Sequence, residues 1–228
     1  MANGKLRKAR AFLFDLDGTL IDSKTDLVAA VNAMLRATGR PEQSTEIVAS
    51  YIGHGAPRLI ASVLGSSASD VERAEGLRIF LEHYEEHKLD ATRAYPGVGE
   101  GLKALADLGL PMAVLTNKPV KISVEILRGL GLEKYFQGIY GGDSFAAKKP
   151  DPAGALQILR ELRASPEETA MVGDSDVDLE TARNSGMLAV AVNYGFGKRV
   201  SPADVYVDSL VELGALVDVD TPSEAREP

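Results

Sequence analysis

Five short runs along the chain are apolar at nearly every position: AFLF at 11–14, MAVLT at 112–116, TAMVG at 169–173, LAVAV at 188–192 and, more weakly, DVYV at 204–207. Apolar runs this short, without alternation, suit strands buried on both faces. Between them lie stretches with apolar residues at three- and four-residue spacing, such as KISVEILRGLGL and PAGALQILRELR, which predict amphipathic helices. Strands alternating with helices imply a parallel sheet covered on both sides, and so an α/β, doubly wound, Rossmann-like fold.

The alternation breaks between residues 23 and 93. TDLVAAVNAMLRATG, STEIVASYIG, PRLIASVLG and DVERAEGLRIFLEHYEEHK all carry helical patterns, with no convincing strand among them. Four helices are too many for one crossover between neighbouring strands. They predict a separate α-helical insert over about 22–93, ending near RAYPG where Pro96 and Gly97 punctuate the chain. The α/β core would then comprise residues 1–21 and 94–228. No internal repeat is visible, and the polar tail DVDTPSEAREP is expected to fray.

Ligands of an open parallel sheet bind beyond the C-terminal ends of its strands, so the residues following each apolar run carry the chemistry. The first run is followed by Asp15, Asp17, Gly18 and Thr19, the second by Thr116, Asn117 and Lys118. A weaker segment around GIYGGD leads to Lys148 and Lys149, and the TAMVG run to Asp174, Asp176 and Asp178. Clustered carboxylates repel one another unless a cation sits among them, and an all-oxygen set suits Mg²⁺. A hydroxyl, an amide and a lysine would hold phosphate oxygens. One Asp beside the metal can attack phosphorus, and a second, two residues on, can protonate the leaving oxygen and later activate water.

Each motif also has a purely structural reading. Asp-x-Asp-Gly serves in turns, GDSDVD can cap a helix and charge its first turn, and Thr116-Asn117 can start one. Asp176 in particular is open to the capping role.

Composition narrows the ligand. The net charge is −8, which speaks against a nucleic-acid partner and means that an anionic substrate needs local cations or a metal. Cysteine is absent, which removes disulfides, thiolate zinc sites and cysteine nucleophiles together. KLRKAR followed by AFLF imitates a signal peptide, but the apolar run ends at Asp15, too early for one. No segment approaches the roughly 20 apolar residues of a membrane span. The expectation is a cytoplasmic enzyme acting on a small phosphorylated metabolite, as a monomer or homodimer.

DLDGT, LTNK, KKP and GDSDVD, in that order and at those strand ends, resemble the haloacid-dehalogenase-like phosphohydrolases over nearly the whole chain. The resemblance implies Asp15 as nucleophile and Asp17 as general acid/base, with Gly18 and Thr19 in the phosphate loop. It implies Thr116 as the phosphate-binding hydroxyl, Asn117 as a phosphate or leaving-group contact, and Lys149, rather than Lys148, as the neutralising cation. Asp174, Asp15 and the backbone carbonyl of Asp17 would ligate Mg²⁺, while Asp178 would support the metal or orient Lys149. The dehalogenases that named the family lack the second carboxylate, because halide leaves without a proton; Asp17 thus favours phosphoryl transfer.

The helical insert resembles the family's small helical cap. YIGHGAPRLI, YPGVGEGLKAL and VAVNYGFG look most like the phosphoglycolate phosphatase group, with other phosphatases and a phosphomutase as rivals. Gly53-His54-Gly55 reads either as a substrate loop closing over the core or as a turn, and Arg58 as either a carboxylate ligand or a solvated helix residue. Lys24 is the only cap lysine near the first motif, but the imine chemistry of a phosphonate hydrolase also requires a desolvated lysine, which speaks against that branch. His83 and His87 imitate a zinc helix, but Tyr84 stands where that motif has Glu. GVGEG at 97–101 lacks a preceding strand and reads as a helix start.

Overall fold

The structure is a computed structural model and describes residues 6–197, 199 and 201–217. The tail expected to fray lies outside the described residues. The chain opens with β1 (Ala11–Phe14), followed by a two-residue strand, β2 (Ile21–Asp22). Four helices come next: α1 (Lys24–Ala37), α2 (Thr45–Ala49), α3 (Ala56–Leu64) and α4 (Asp70–His87). The short β3 (Arg93–Ala94) follows, then α5 (Val98–Asp107), β4 (Met112–Leu115), α6 (Val120–Gly129) and β5 (Gly138–Tyr140). The remainder is α7 (Ala153–Leu162), β6 (Thr169–Gly173), α8 (Asp176–Ser185), β7 (Leu188–Val192), β8 (Val205–Val207) and α9 (Val211–Leu216).

Six strands form one parallel sheet in the order β5-β4-β1-β6-β7-β8. The alternation of side chains along β1 divides the core in two. Phe12 and Phe14 face Val98, Leu102, Ile122 and Leu213 of α5, α6 and α9, whereas Leu13 faces Ile158 and Leu179 of α7 and α8. All four residues of β1 are fully buried, as a central strand covered on both faces requires. The chain leaves β1 for β4 on one side and returns to β6 on the other, so Asp15 emerges at the point where the strand order reverses.

Among the described residues, β2 and β3 form a separate antiparallel pair at the two passages into and out of the helical segment. Two-residue strands carry no readable periodicity, and they were not expected from the sequence. Asp26, in the first turn of α1, accepts hydrogen bonds from the backbone N–H groups of Ala91 (2.9 Å) and Thr92 (2.8 Å) and from Thr92 Oγ1 (2.7 Å). A buried carboxylate satisfied this fully binds the start of the helical segment to its end. The helix α4 starts at a capping box in which Ser69 N–H donates to Glu72 (2.8 Å) and Glu72 N–H to Ser69 Oγ (3.3 Å). GVGEG is indeed a helix start, with Gly97 left-handed before α5. No described helix is long and apolar enough to cross a membrane.

Candidate active site

The ends of β1, β4 and β6, with the KKP loop, converge on one cluster of buried charge. Lys149 lies at its centre: its Nζ is 2.8 Å from Asp15 Oδ1 and 2.6 Å from Asp178 Oδ1. Burial works against the Lys149 charge, but Asp15 and Asp178 outweigh it and hold the ammonium above its ordinary range. The other oxygen of Asp178 accepts from Ser175 N–H (3.1 Å) and Ser175 Oγ (2.7 Å) at the start of α8. Asp178 thus joins Lys149 to the start of α8.

Asp174 is buried beneath the loop after β7. Its Oδ2 accepts from the N–H groups of Phe196 (3.0 Å) and Gly197 (2.6 Å). This approach needs glycine on both sides. A Cβ on Gly195 would lie 2.2 Å from Asp174 Cβ, and one on Gly18 would lie 2.0 Å from Asp174 Oδ2. Gly18 also has φ +85°, a conformation that disfavours a side chain. Gly18→Ala is therefore expected to cost about 2–4 kcal/mol in a urea denaturation curve. A midpoint equal to that of the parent would mean that Asp174 can move aside freely.

Asp15, Asp174 and Asp178 bring carboxylate oxygens within 4.8 Å of one another. Burial first, and then the charges of Asp178 and Asp17 over the pull of Lys149, push Asp15 up to about 6. Burial, Asp178 and Asp15 push Asp174 up to about 8. Three buried acids in mutual repulsion with oxygen-only donors fit a hard dication such as Mg²⁺.

Asp17 lines the same cleft as Asp15 but pairs with a different lysine. It accepts from Lys118 Nζ at 2.9 and 3.1 Å and from Ser23 Oγ. Lys118 Nζ also donates to Tyr84 Oη of α4 (2.7 Å). Thr116 is buried, and its Oγ1 accepts from Lys118 N–H at 3.2 Å, which leaves the hydroxyl proton to donate. Thr19 is fully buried, its Oγ1 without a hydrogen-bond partner among the described residues. The Thr19 carbonyl accepts from Tyr194 Oη (2.8 Å), which joins the first-motif loop to the loop after β7.

The other expected residues are placed differently. Asn117 is buried, but its amide donates to the carbonyls of Gly53 (3.0 Å) and Lys149 (3.1 Å), leaving only Oδ1 without a partner among the described residues. It thus joins the helical segment to the lysine loop. Lys148, His54 and Arg58 are exposed, and neither His54 nor Arg58 lines the cleft above Asp15 and Asp17. Partial burial and the nearby Arg58 hold the His54 imidazole below its ordinary range. The rings of His83 and His87 lie tilted with centres 4.4 Å apart along α4, and His87 pairs with Asp90, away from the acidic cluster.

The sequence placed Lys118 at a strand end but gave it no role, and two of its surroundings escaped the reading: its partner Tyr84, and the N–H groups of 196–197 that hold Asp174. Tyr84 offered no signal, because it is 34 residues from Lys118 in the chain.

The comparisons agree with this architecture. The haloacid dehalogenase-like hydrolase family matches residues 12–192. A phosphoglycolate phosphatase of Chromobacterium violaceum is 40% identical over 217 residues, covering 91% of this chain and 96% of its own. One from Pseudomonas syringae pv. tomato is 41% identical over 227 residues, covering 95% and 82%. The crystal structure of a predicted phosphoglycolate phosphatase of Haemophilus somnus superposes with a TM-score of 0.84 at 29% identity, covering 90% of this chain and 96% of that one. With the family pattern running from the first sheet strand through β7, and the four strand-end motifs gathered on one cluster, the chain belongs to the haloacid dehalogenase-like hydrolases.

Proposed function

We propose that the protein is a Mg²⁺-dependent phosphatase that hydrolyses 2-phosphoglycolate through an aspartyl phosphate on Asp15. The observation that carries the chemistry is the pair of buried charge clusters at the strand ends, Lys149 with Asp15 and Asp178, and Lys118 with Asp17. The relatives named above support the substrate.

Lys149 holds Asp15 at Oδ1, so the carboxylate is presented to phosphorus in one orientation. An Asp15 oxygen forms the new bond to phosphorus as the ester oxygen leaves, and Asp17 gives that oxygen its proton. Asp17 then takes a proton from water, which attacks phosphorus and returns Asp15 to the carboxylate. Thr116 and Lys149 bind the phosphoryl oxygens. Asp15, Asp174 and the Asp17 carbonyl would hold Mg²⁺, with Asp178 behind them, and the ion would supply charge neutralisation to the phosphoryl group.

Residues 22–93 act in this reading as a cap whose seating on the core closes the cleft and excludes bulk water. The Asn117–Gly53 hydrogen bond supports that role, because it ties the loop before α3 to the catalytic strand end. The reading is of a cytoplasmic enzyme with a small metabolite, rather than nucleic acid or membrane, as its partner.

The test is phosphate release, with and without Mg²⁺, from 2-phosphoglycolate, pyrophosphate, glucose phosphates and nucleotides. The expected result is Mg²⁺-dependent release with the highest kcat/KM for 2-phosphoglycolate. Preference for another member would overturn the substrate. Isomerisation of a sugar phosphate without release would point to a mutase.

A further inference from the structure

A cleft opens between the helical segment and the C-terminal ends of β1 and β4, walled by Leu27, Ile52, Leu59 and Tyr84 on one side and Thr116 and Ile122 on the other. Its charged lining residues are Asp15, Asp17 and Lys118. Lys149 is absent from this wall and lines a smaller recess behind Thr116 and Asn117. Lys118 is therefore the one cation among the described residues that lines the cleft. Its side chain is 4% exposed, and its Nζ stands 4.5 Å from the centre of the Tyr84 ring as well as 2.7 Å from the hydroxyl.

We infer that Lys118 is the specificity-determining residue of the cleft. It binds a carboxylate carried on the carbon next to the phosphorylated oxygen, so that the enzyme selects phosphate esters of short 2-hydroxy acids. The inference rests on the proposed phosphatase reading and deepens it. The proton donor must lie within hydrogen-bond reach of the leaving oxygen, about 2.6–3.2 Å. Lys118 is 2.9 and 3.1 Å from the oxygens of that donor, Asp17. In a 2-hydroxy acid, the carboxylate oxygens lie about 3 Å from the hydroxyl oxygen by covalent geometry alone. A cation that touches the donor thus stands where this carboxylate arrives.

One further feature fits this substrate class. The surrounding wall is largely apolar, with Leu27, Ile52, Leu59, Phe80 and Ile122, and offers few partners to the hydroxyls of a sugar. The exposed Arg58, which the sequence left open as either a carboxylate ligand or a solvated helix residue, does not line this wall.

The experiment compares kcat and KM for 2-phosphoglycolate and for its neutral amide, 2-phosphoglycolamide, in the parent and in Lys118→Met. The parent should favour the acid by about 10- to 150-fold in kcat/KM, the range of a charge-assisted hydrogen bond. Lys118→Met should bring the acid-to-amide ratio to near one, mainly through KM for the acid. An unchanged ratio, with both substrates slowed alike, would show that Lys118 serves Asp17 only and overturn the inference. A ratio near one in the parent would instead sink the 2-phosphoglycolate reading on which it rests. If circular dichroism shows that Lys118→Met does not fold, Lys118→Gln applies the same ratio test, since it still donates to Asp17 but carries no charge.

Discussion

Asp15→Asn folds as the parent does and releases no phosphate above background. The amide lacks the charge and the nucleophilicity needed to attack phosphorus, and a loss of at least about 10⁴-fold in kcat is expected. The fold should tolerate the change. Burial and the neighbouring acids hold the Asp15 carboxyl up to about 6, so its charge is a liability to the metal-free protein at neutral pH. An asparagine of the same shape removes one of three crowded buried acids. Lys149 keeps its 2.6 Å partner, Asp178. Phosphate release and thermal melting, measured on one preparation, check both halves. Activity above about 1% of the parent would place the nucleophile elsewhere. A large drop in melting temperature would make Asp15 chiefly a structural anchor for Lys149.

Removal of divalent metal abolishes turnover, and its effect on stability grows with pH. In the metal-free protein, Asp15 is held near 6 and Asp174 near 8, both above the ordinary 3.8. The folded state therefore binds more protons than the unfolded chain from about pH 4 up to about pH 8. Stability is highest at the acid end of that window and falls as pH rises through it. Mg²⁺ favours the ionised carboxylates and should offset this loss. At a concentration about 100 times its Kd it adds about 2.7 kcal/mol, or roughly 5–10 °C for a chain of this length. Melting curves with Mg²⁺ or a chelator should nearly coincide at pH 5 and separate most at pH 8. Equal separation at every pH, or none, would mean that Asp15 and Asp174 do not hold the metal.

How much was legible beforehand follows from how each feature is encoded. The strands β1, β4, β6 and β7 are uninterrupted apolar runs, and a strand buried on both faces leaves that mark in any sequence. β5 is only partly buried, and its Gly138-Ile139-Tyr140 reads weakly for that reason. The β2–β3 pair is two residues long on each side and held by backbone hydrogen bonds, which place no demand on side-chain order. Asn117 shows the limit at the site. Its position after β4 was readable, but the carbonyls of Gly53 and Lys149 that take its amide protons come from segments 64 and 32 residues away.

The sequence by itself determined the α/β class, the segment that departs from it and the acids, hydroxyl and cation that the strand ends deliver. Each is written locally, in periodicity or in the few residues after an apolar run. The tertiary structure alone decided which cation faces which acid. It set Lys149 between Asp15 and Asp178, and it brought Lys118 to Asp17 across 101 residues and under a tyrosine from the helical segment. Such pairings depend on which strand ends neighbour one another in space and on how α4 seats above them, and no local pattern in the chain records either.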